Sequence, residues 1–220
     1  MNTPTLPQDE RPTAGLQKVH FVSLGCPKNR IDTETMLAGI EGEYQVTSEA
    51  EEADVVVVNT CAFVDSAKEE SINTILDMAD LKETAKLKKL IVSGCLSQRY
   101  AKELSAEMPE IDHLVGTNDL NAVKTILDES NRAASTPAPQ PERLYVSDPD
   151  RAGFDWEMPR VNTMAGHSAY LKIAEGCSNK CAFCIIPKLR GPQRSRSIDS
   201  IVREARSLAE QGVVELNLIA

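Results

Sequence analysis

Apolar residues in this chain gather into short runs, separated by longer stretches whose apolar positions recur at helical spacing. Lys18 to Leu24 reads as a strand and Arg30 to Ile40 as the helix after it. Asp54 to Val58 contains four consecutive valines, the mark of a strand buried on both faces. A long helix is expected from about Asp65 to Leu81, with Ile72, Ile75, Leu76 and Ala79 at its apolar positions. The rhythm repeats with a strand at Leu90–Ser93 and a helix from about Gln98 to Glu107, then a strand at Ile111–Val115 and a helix at Asp119–Asp128. Strands alternating with helices of this length imply parallel βαβ units and an open, doubly wound α/β sheet.

The pattern breaks after residue 130. Residues 131–142 are rich in Pro, Ala and Ser, and Asp148 to Arg160 stays polar and irregular, so 131–167 is expected to be a linker. The rhythm resumes at Ser168, with a strand at Ala169–Ala174, a cysteine-bearing loop, a helix from about Asp199 to Gln211 and a strand at Val213–Ile219. A loop after the first strand of a βα series lies at the active end of a (β/α) barrel. The expected domains are a flexible Pro- and Thr-rich tail at 1–17, a sheet domain at 18–130, the linker, and the start of a second domain at 168–220.

A hydrophobic fraction of 41% over 220 residues supports a real core and opposes global disorder. Aromatic residues at 4% and a formal net charge of −9 oppose extensive base stacking and non-specific phosphate binding, so no direct reading of nucleic acid is expected. The first residues lack an apolar signal-peptide core, and no apolar run approaches the ~20 residues needed to span a bilayer. The expectation is a soluble, cytoplasmic protein with reduced cysteines. Charge is uneven: Lys180, Lys188, Arg190, Arg194 and Arg196 fall between Gly176 and Arg196 with no acid among them. Singly each reads as a solvated loop residue; together they would offset an anionic ligand.

The cysteines carry the candidate chemistry. Cys177, Cys181 and Cys184 form a C-x-x-x-C-x-x-C triplet in one short loop. Three such thiolates can hold three irons of a 4Fe-4S cluster and leave the fourth open to a small molecule. Zinc is the competing reading, but it takes four ligands, and only His167 is near enough in sequence to be the fourth. Disulfide bonding or plain free thiols would also account for cysteines at this spacing. Cys26, Cys61 and Cys95 each follow a predicted strand, 35 and 34 residues apart. Ligands of open parallel sheets bind at that edge, so the three converge on a second possible cluster site, the competing reading being unrelated core cysteines. Lys28, Asn29 and Asn59 adjoin them as candidate partners of cluster sulfurs or as ordinary turn residues. His20 and His113 fall inside strands and suit core positions better than catalysis.

The Cys177–Cys184 spacing, with Phe183 before the last cysteine and Ile-Pro after it, resembles the radical S-adenosylmethionine (SAM) enzymes. Leu24-Gly-Cys-Pro-Lys-Asn29, Asn59-Thr-Cys-Ala-Phe-Val-Asp-Ser-Ala67, Ser93-Gly-Cys-Leu-Ser-Gln98 and Arg190-Gly-Pro-Gln-Arg-Ser-Arg196 extend the resemblance to the methylthiotransferase family, from Lys18 to Ala220. Cys-Pro-Lys-Asn and Val-Asp-Ser-Ala resemble the branch that modifies ribosomal protein uS12; the transfer-RNA branch typically has Cys-Gln-Met-Asn at the first site.

The resemblance implies a flavodoxin-like sheet domain followed by the start of a radical SAM (β/α) partial barrel. It implies two 4Fe-4S clusters and SAM as cofactors. Cys177, Cys181 and Cys184 would bind the SAM-cleaving cluster, and Cys26, Cys61 and Cys95 an auxiliary cluster bearing the sulfur to be delivered. The implied reaction adds a methylthio group to the β-carbon of a uS12 aspartate, with an electron donor such as flavodoxin or ferredoxin. A tRNA 2-methylthioadenosine synthase and a non-catalytic iron–sulfur or zinc module compete with this reading. Family members continue through more βα units to a small β-barrel, so the chain is expected to be an N-terminal fragment.

Overall fold

The computed structural model describes residues 15–133, 142–151, 153, 155–164 and 166–220. Six parallel strands form the main sheet: β1 (Lys18–Ser23), β2 (Gln45–Val46), β3 (Val55–Thr60), β4 (Lys89–Gly94), β5 (His113–Val115) and β6 (Leu144–Tyr145). Their spatial order is β2-β1-β3-β4-β5-β6. The order reverses between β1 and β3, and such a switch point is where open α/β sheets leave a crevice for ligands. The helices between strands are α1 (Pro27–Ile40), α2 (Asp65–Ala79), the single turn α3 (Leu81–Thr84), α4 (Cys95–Glu107) and α5 (Ala122–Ala133).

The valine run behaves as its composition requires. Val55 to Val58 are all completely buried; Val56 and Val58 join the core cluster on one face of the sheet, Val55 and Val57 the cluster on the other. Side chains alternate between faces along a strand, so a run buried on both sides has no position left for a polar residue. His20 and His113 are buried within strands, each with Nδ1 held by a backbone carbonyl, that of Thr47 at 2.9 Å and that of Glu142 at 3.0 Å.

The C-terminal part contains β7 (Ser168–Lys172), β8 (Ala174–Glu175), α6 (Ile186–Arg190), β9 (Arg194–Ser195), α7 (Ile198–Glu210) and β10 (Glu215–Ile219). Strands β7 and β10 pair in parallel around a small core of Ala169, Leu208 and Val213. Strands β8 and β9 pair antiparallel and pin the base of the cysteine loop.

Two expectations need correction. The stretch 131–167, read as polar linker, begins inside α5 and contributes β6, which adds to β5 at the sheet edge. Its later residues Arg160 and Thr163 reach buried Glu34 of α1. Residues 134–141, within the expected linker, and 1–14, within the expected tail, lie outside the described residues. The basic residues after Gly176 are not all solvated. Arg190 is 1% exposed and heads the large, fully buried side chains among the described residues.

Helix α1 explains why that arginine is inside. Its buried residues include Asn29, Asp32, Thr33, Glu34 and Thr35 as well as Ile31, Met36, Leu37 and Ile40. One side packs apolar residues on the sheet. The other presents Asp32 to Lys172 and Arg190 of the C-terminal part, and Glu34 to Arg160 of the segment before β7.

Candidate metal centres

Each cysteine of the first triplet stands where a strand gives way to a helix. Cys26 caps α1, and Pro27 fills the first helical position, where its missing N–H and fixed φ are no disadvantage. Cys61 follows β3, with its N–H donating to Ser71 Oγ at 3.1 Å and its carbonyl accepting from the same hydroxyl at 3.0 Å. The pattern starts the next helix at about Gln98, whereas Cys95 is already the first residue of α4, directly after β4. Gly94 makes that abrupt turn at φ +94°, a conformation only glycine adopts readily, and a Cβ there would meet Asn59 Oδ1 at 2.3 Å.

Asn29 ties these strand ends together. Its Nδ2 donates to the carbonyls of Leu24 at 3.1 Å and Thr60 at 2.7 Å, and its Oδ1 lies 3.8 Å from Cys95 Sγ. Asn59 supports it, donating through Nδ2 to the Asn29 carbonyl at 2.7 Å and to Thr33 Oγ1 at 2.9 Å. A Cβ on Gly25 would lie 2.8 Å from Cys61 Cβ, so the first loop approaches Cys61 closely. Cys61 and Cys95 are buried, whereas Cys26 is exposed beside a cleft of about 380 Å³ that Arg30, Glu70 and Tyr170 help to line.

A buried ion network abuts this edge. Asp32 pairs with Lys172 at 2.9 Å and Arg190 at 2.7 Å; Glu175 pairs with Lys172 at 2.7 Å, Lys28 at 3.2 Å and Arg190 at 3.3 Å. Arg190 Nη2 also donates to Asn29 Oδ1 at 2.8 Å and points at Cys95 Sγ from 3.7 Å. Burial opposes charge on Glu175, yet Arg190, Lys172 and Lys28 outweigh it and hold its carboxyl far below the usual range. Burial likewise works against Arg190, but Asp32, Cys95 and Glu175 raise its pKa well above the ordinary arginine value. Burial pushes the Cys95 thiol up, while the Arg190 guanidinium pulls it down.

The second triplet is differently housed. Gly176, at φ +76°, turns the chain out of β8, and the Cys177 N–H donates to the Gly191 carbonyl at 3.0 Å. Cys181 is exposed, Cys177 and Cys184 half-buried, and Phe183 between them is 93% exposed. Helix α6 anchors the far end of the loop: Leu189 enters the core cluster that contains Cys95, and its carbonyl accepts from Thr117 Oγ1 at 2.7 Å. His167, the only candidate for a fourth zinc ligand, is exposed in the turn before β7.

All six cysteines are free thiols. Among the described residues no three His, Cys, Asp or Glu side chains are gathered tightly enough for a single metal ion. The ligands of a cubane cluster sit on different irons and stand farther apart than ligands of one ion. Sequence reasoning named the cysteines but not Asp32, Lys172 or Glu175. The signal available was two carboxylates and a lysine at positions otherwise typical of α1 and of a strand.

Residues 18–116 match the uncharacterized protein family UPF0004, and residues 171–220 match the Radical SAM superfamily. The two matches divide the chain into a UPF0004-like N-terminal side and a radical SAM-like C-terminal side. It is 50% identical over 92% of its length to the ribosomal protein uS12 methylthiotransferase RimO of Anaeromyxobacter sp. (strain Fw109-5). It is 51% identical over 93% to the protein of that name from Myxococcus xanthus and 48% identical over 93% to that from Geobacter sulfurreducens. The chain spans 41%, 41% and 44% of those three relatives. Among solved structures, the cobalamin-dependent SAM radical enzyme OxsB covers 90% of this chain with a TM-score of 0.55 at 13% identity, matching 32% of its own chain. That likeness is one of fold: an open α/β unit followed by the opening of a radical SAM domain. No described helix is long and apolar enough to cross a membrane.

Proposed function

We propose that this chain is part of a radical SAM methylthiotransferase that adds a methylthio group to the β-carbon of an aspartate in ribosomal protein uS12. The observation that carries the reading is the pairing of two three-cysteine sites, one at a sheet switch point and one after the first strand of the radical SAM unit, in a chain about half identical to relatives of that name. Cys177, Cys181 and Cys184 would hold one 4Fe-4S cluster, and Cys26, Cys61 and Cys95 another.

The residues fit such groups. The strand-edge site offers three thiols, two of them buried, a neighbouring network of Lys28, Lys172 and Arg190 with Asp32 and Glu175, and the buried oxygens Asn59 Oδ1 and Ser93 Oγ without a protein partner. The loop site offers three thiols within eight residues and open access from solvent. A bound cluster with one iron free of protein supplies a coordination place for SAM and an electron to cleave it. The chain's own part is positional. Gly25 and Gly94 let backbone and thiols converge, Asn29 fixes the strand ends, and α6 seats the loop against the sheet. The cleft beside Cys26 would give a substrate side chain a route to the Cys26 thiol. The electron would come from a donor such as flavodoxin or ferredoxin, and the protein would work in the cytoplasm, where uS12 and reducing conditions coincide.

Mass spectrometry of cells lacking the gene tests substrate choice. Their uS12 should lack the methylthio mass increment on its aspartate, while methylthiolated tRNA adenine persists. The reverse pattern would move the protein to the tRNA-modifying branch.

A further inference from the structure

Burying a guanidinium completely is costly unless its charge is compensated and its N–H groups are bonded. Arg190 meets that requirement with groups from three separate elements: Asp32 and Asn29 on α1, Glu175 on β8, and Cys95 at the head of α4. The network joins Lys28, Lys172 and Arg190 to Asp32 and Glu175. Arg190 aims an N–H at the Cys95 thiol. Asp32 and Glu175 take up Nη1, while Nη2 is turned to Asn29 and the Cys95 sulfur. The Nη2 end of the guanidinium therefore faces the strand edge, where its positive charge complements an anion.

The position of Arg190 in the chain adds a second constraint. It closes α6, six residues after Cys184, so the side chain that reaches Cys95 is carried by the loop holding the other triplet.

We propose that Arg190 is a positioning residue that links the two cysteine sites: seated by α6, it aims Cys95 and lends positive charge to a cluster bound by Cys26, Cys61 and Cys95, raising that cluster's reduction potential. Net charge and hydrogen bonds to sulfur are among the levers that set such potentials. The inference rests on the cluster assignment made above.

The test uses the full chain with Cys177→Ala, Cys181→Ala and Cys184→Ala, reconstituted anaerobically so that only the strand-edge cluster titrates. Its potential is followed by visible absorbance and electron paramagnetic resonance in Arg190→Met, Arg190→Lys and Asp32→Asn. Arg190→Met should shift the potential negative, Arg190→Lys should restore most of the difference, and Asp32→Asn should shift it positive. A purely structural role would loosen the same network in both charge variants and give no opposition of sign. Equal or same-direction shifts for Arg190→Met and Asp32→Asn would overturn the proposal. If Arg190→Met fails to hold a cluster, the lysine and asparagine variants decide by the same signs. Failure of the triple-alanine parent to take up iron and sulfide would overturn the cluster assignment and this inference together; a cluster whose potential ignores Arg190 would overturn the inference alone.

Discussion

The two cysteine triplets reach one protein by opposite routes. The strand-edge triplet spans Cys26 to Cys95 in sequence and is assembled by the sheet: parallel strands β1, β3 and β4 end together, and Asn29 and Asn59 lock their ends with bonds of 2.7 to 3.1 Å. The loop triplet is contiguous in sequence, solvent-facing, and fixed chiefly at its two ends by the β8–β9 pair and by α6. A distributed site inherits its geometry from the core. A local site is written in spacing alone and leaves its final shape to the ligand. Damage to the fold should therefore disable the first site, and damage to the motif the second.

The largest expected effect separates the sites by chemistry. Cys181→Ala should abolish reductive cleavage of SAM to 5′-deoxyadenosine, whereas joint replacement of Cys26, Cys61 and Cys95 by Ala should leave cleavage intact and abolish methylthiolation. Product from the Cys181 variant would mean the roles are assigned to the wrong triplets.

Stability should divide the same way. Phe21 on β1 is 1% exposed, so Phe21→Ala should cost about 3–5 kcal/mol through lost burial and a residual cavity. Phe183, beside Cys184, is 93% exposed, and Phe183→Ala should stay within about 0.5 kcal/mol of the parent in urea unfolding. Comparable losses for both would show that the loop is as deeply packed as the sheet.

A smaller effect concerns the contact between α1 and the C-terminal part. Burial raises the Glu34 carboxyl above 4.5, although Arg160 and Thr163 oppose the shift. Between 4.5 and that raised value the folded state keeps a proton that the unfolded state has released. Stability from this group therefore falls as pH rises through the window and returns as acid is added. Urea midpoints of the parent should gain on those of Glu34→Gln as pH falls from 7 towards 4. A gap that stays constant, or moves the other way, would contradict the burial-driven shift.

Most of the sheet was legible because its signals are local and periodic. The valine run, the strand–helix alternation and the glycines before two of the cysteines each constrain backbone or burial directly. The (β/α) opening was legible for the same reason, from Ala169 and Val213 flanking a helical stretch. Short elements such as β2, β8, β9 and α6 were not, and three features show why. Strand β6 is two residues long, and its pairing with β5 depends on a neighbour about 30 residues earlier in the chain. Helix α1 shows almost no apolar stripe, because its polar side is buried too; only the partner surface of Lys172, Arg190 and Arg160 gives Asp32 and Glu34 a reason to be inside. Arg190 sits in a basic run that resembles a solvated loop, and its burial is set by carboxylates 158 and 15 residues away. Ion pairing across distant segments has no period to read.

The central claim is that each triplet holds its own 4Fe-4S cluster, and iron and sulfide analysis after anaerobic reconstitution tests it most directly. Replacing Cys26, Cys61 and Cys95 together, or Cys177, Cys181 and Cys184 together, should each remove about half of both elements, and replacing all six should remove the rest. Full retention of iron in either triple variant, or zinc bound without cluster absorbance, would contradict the account.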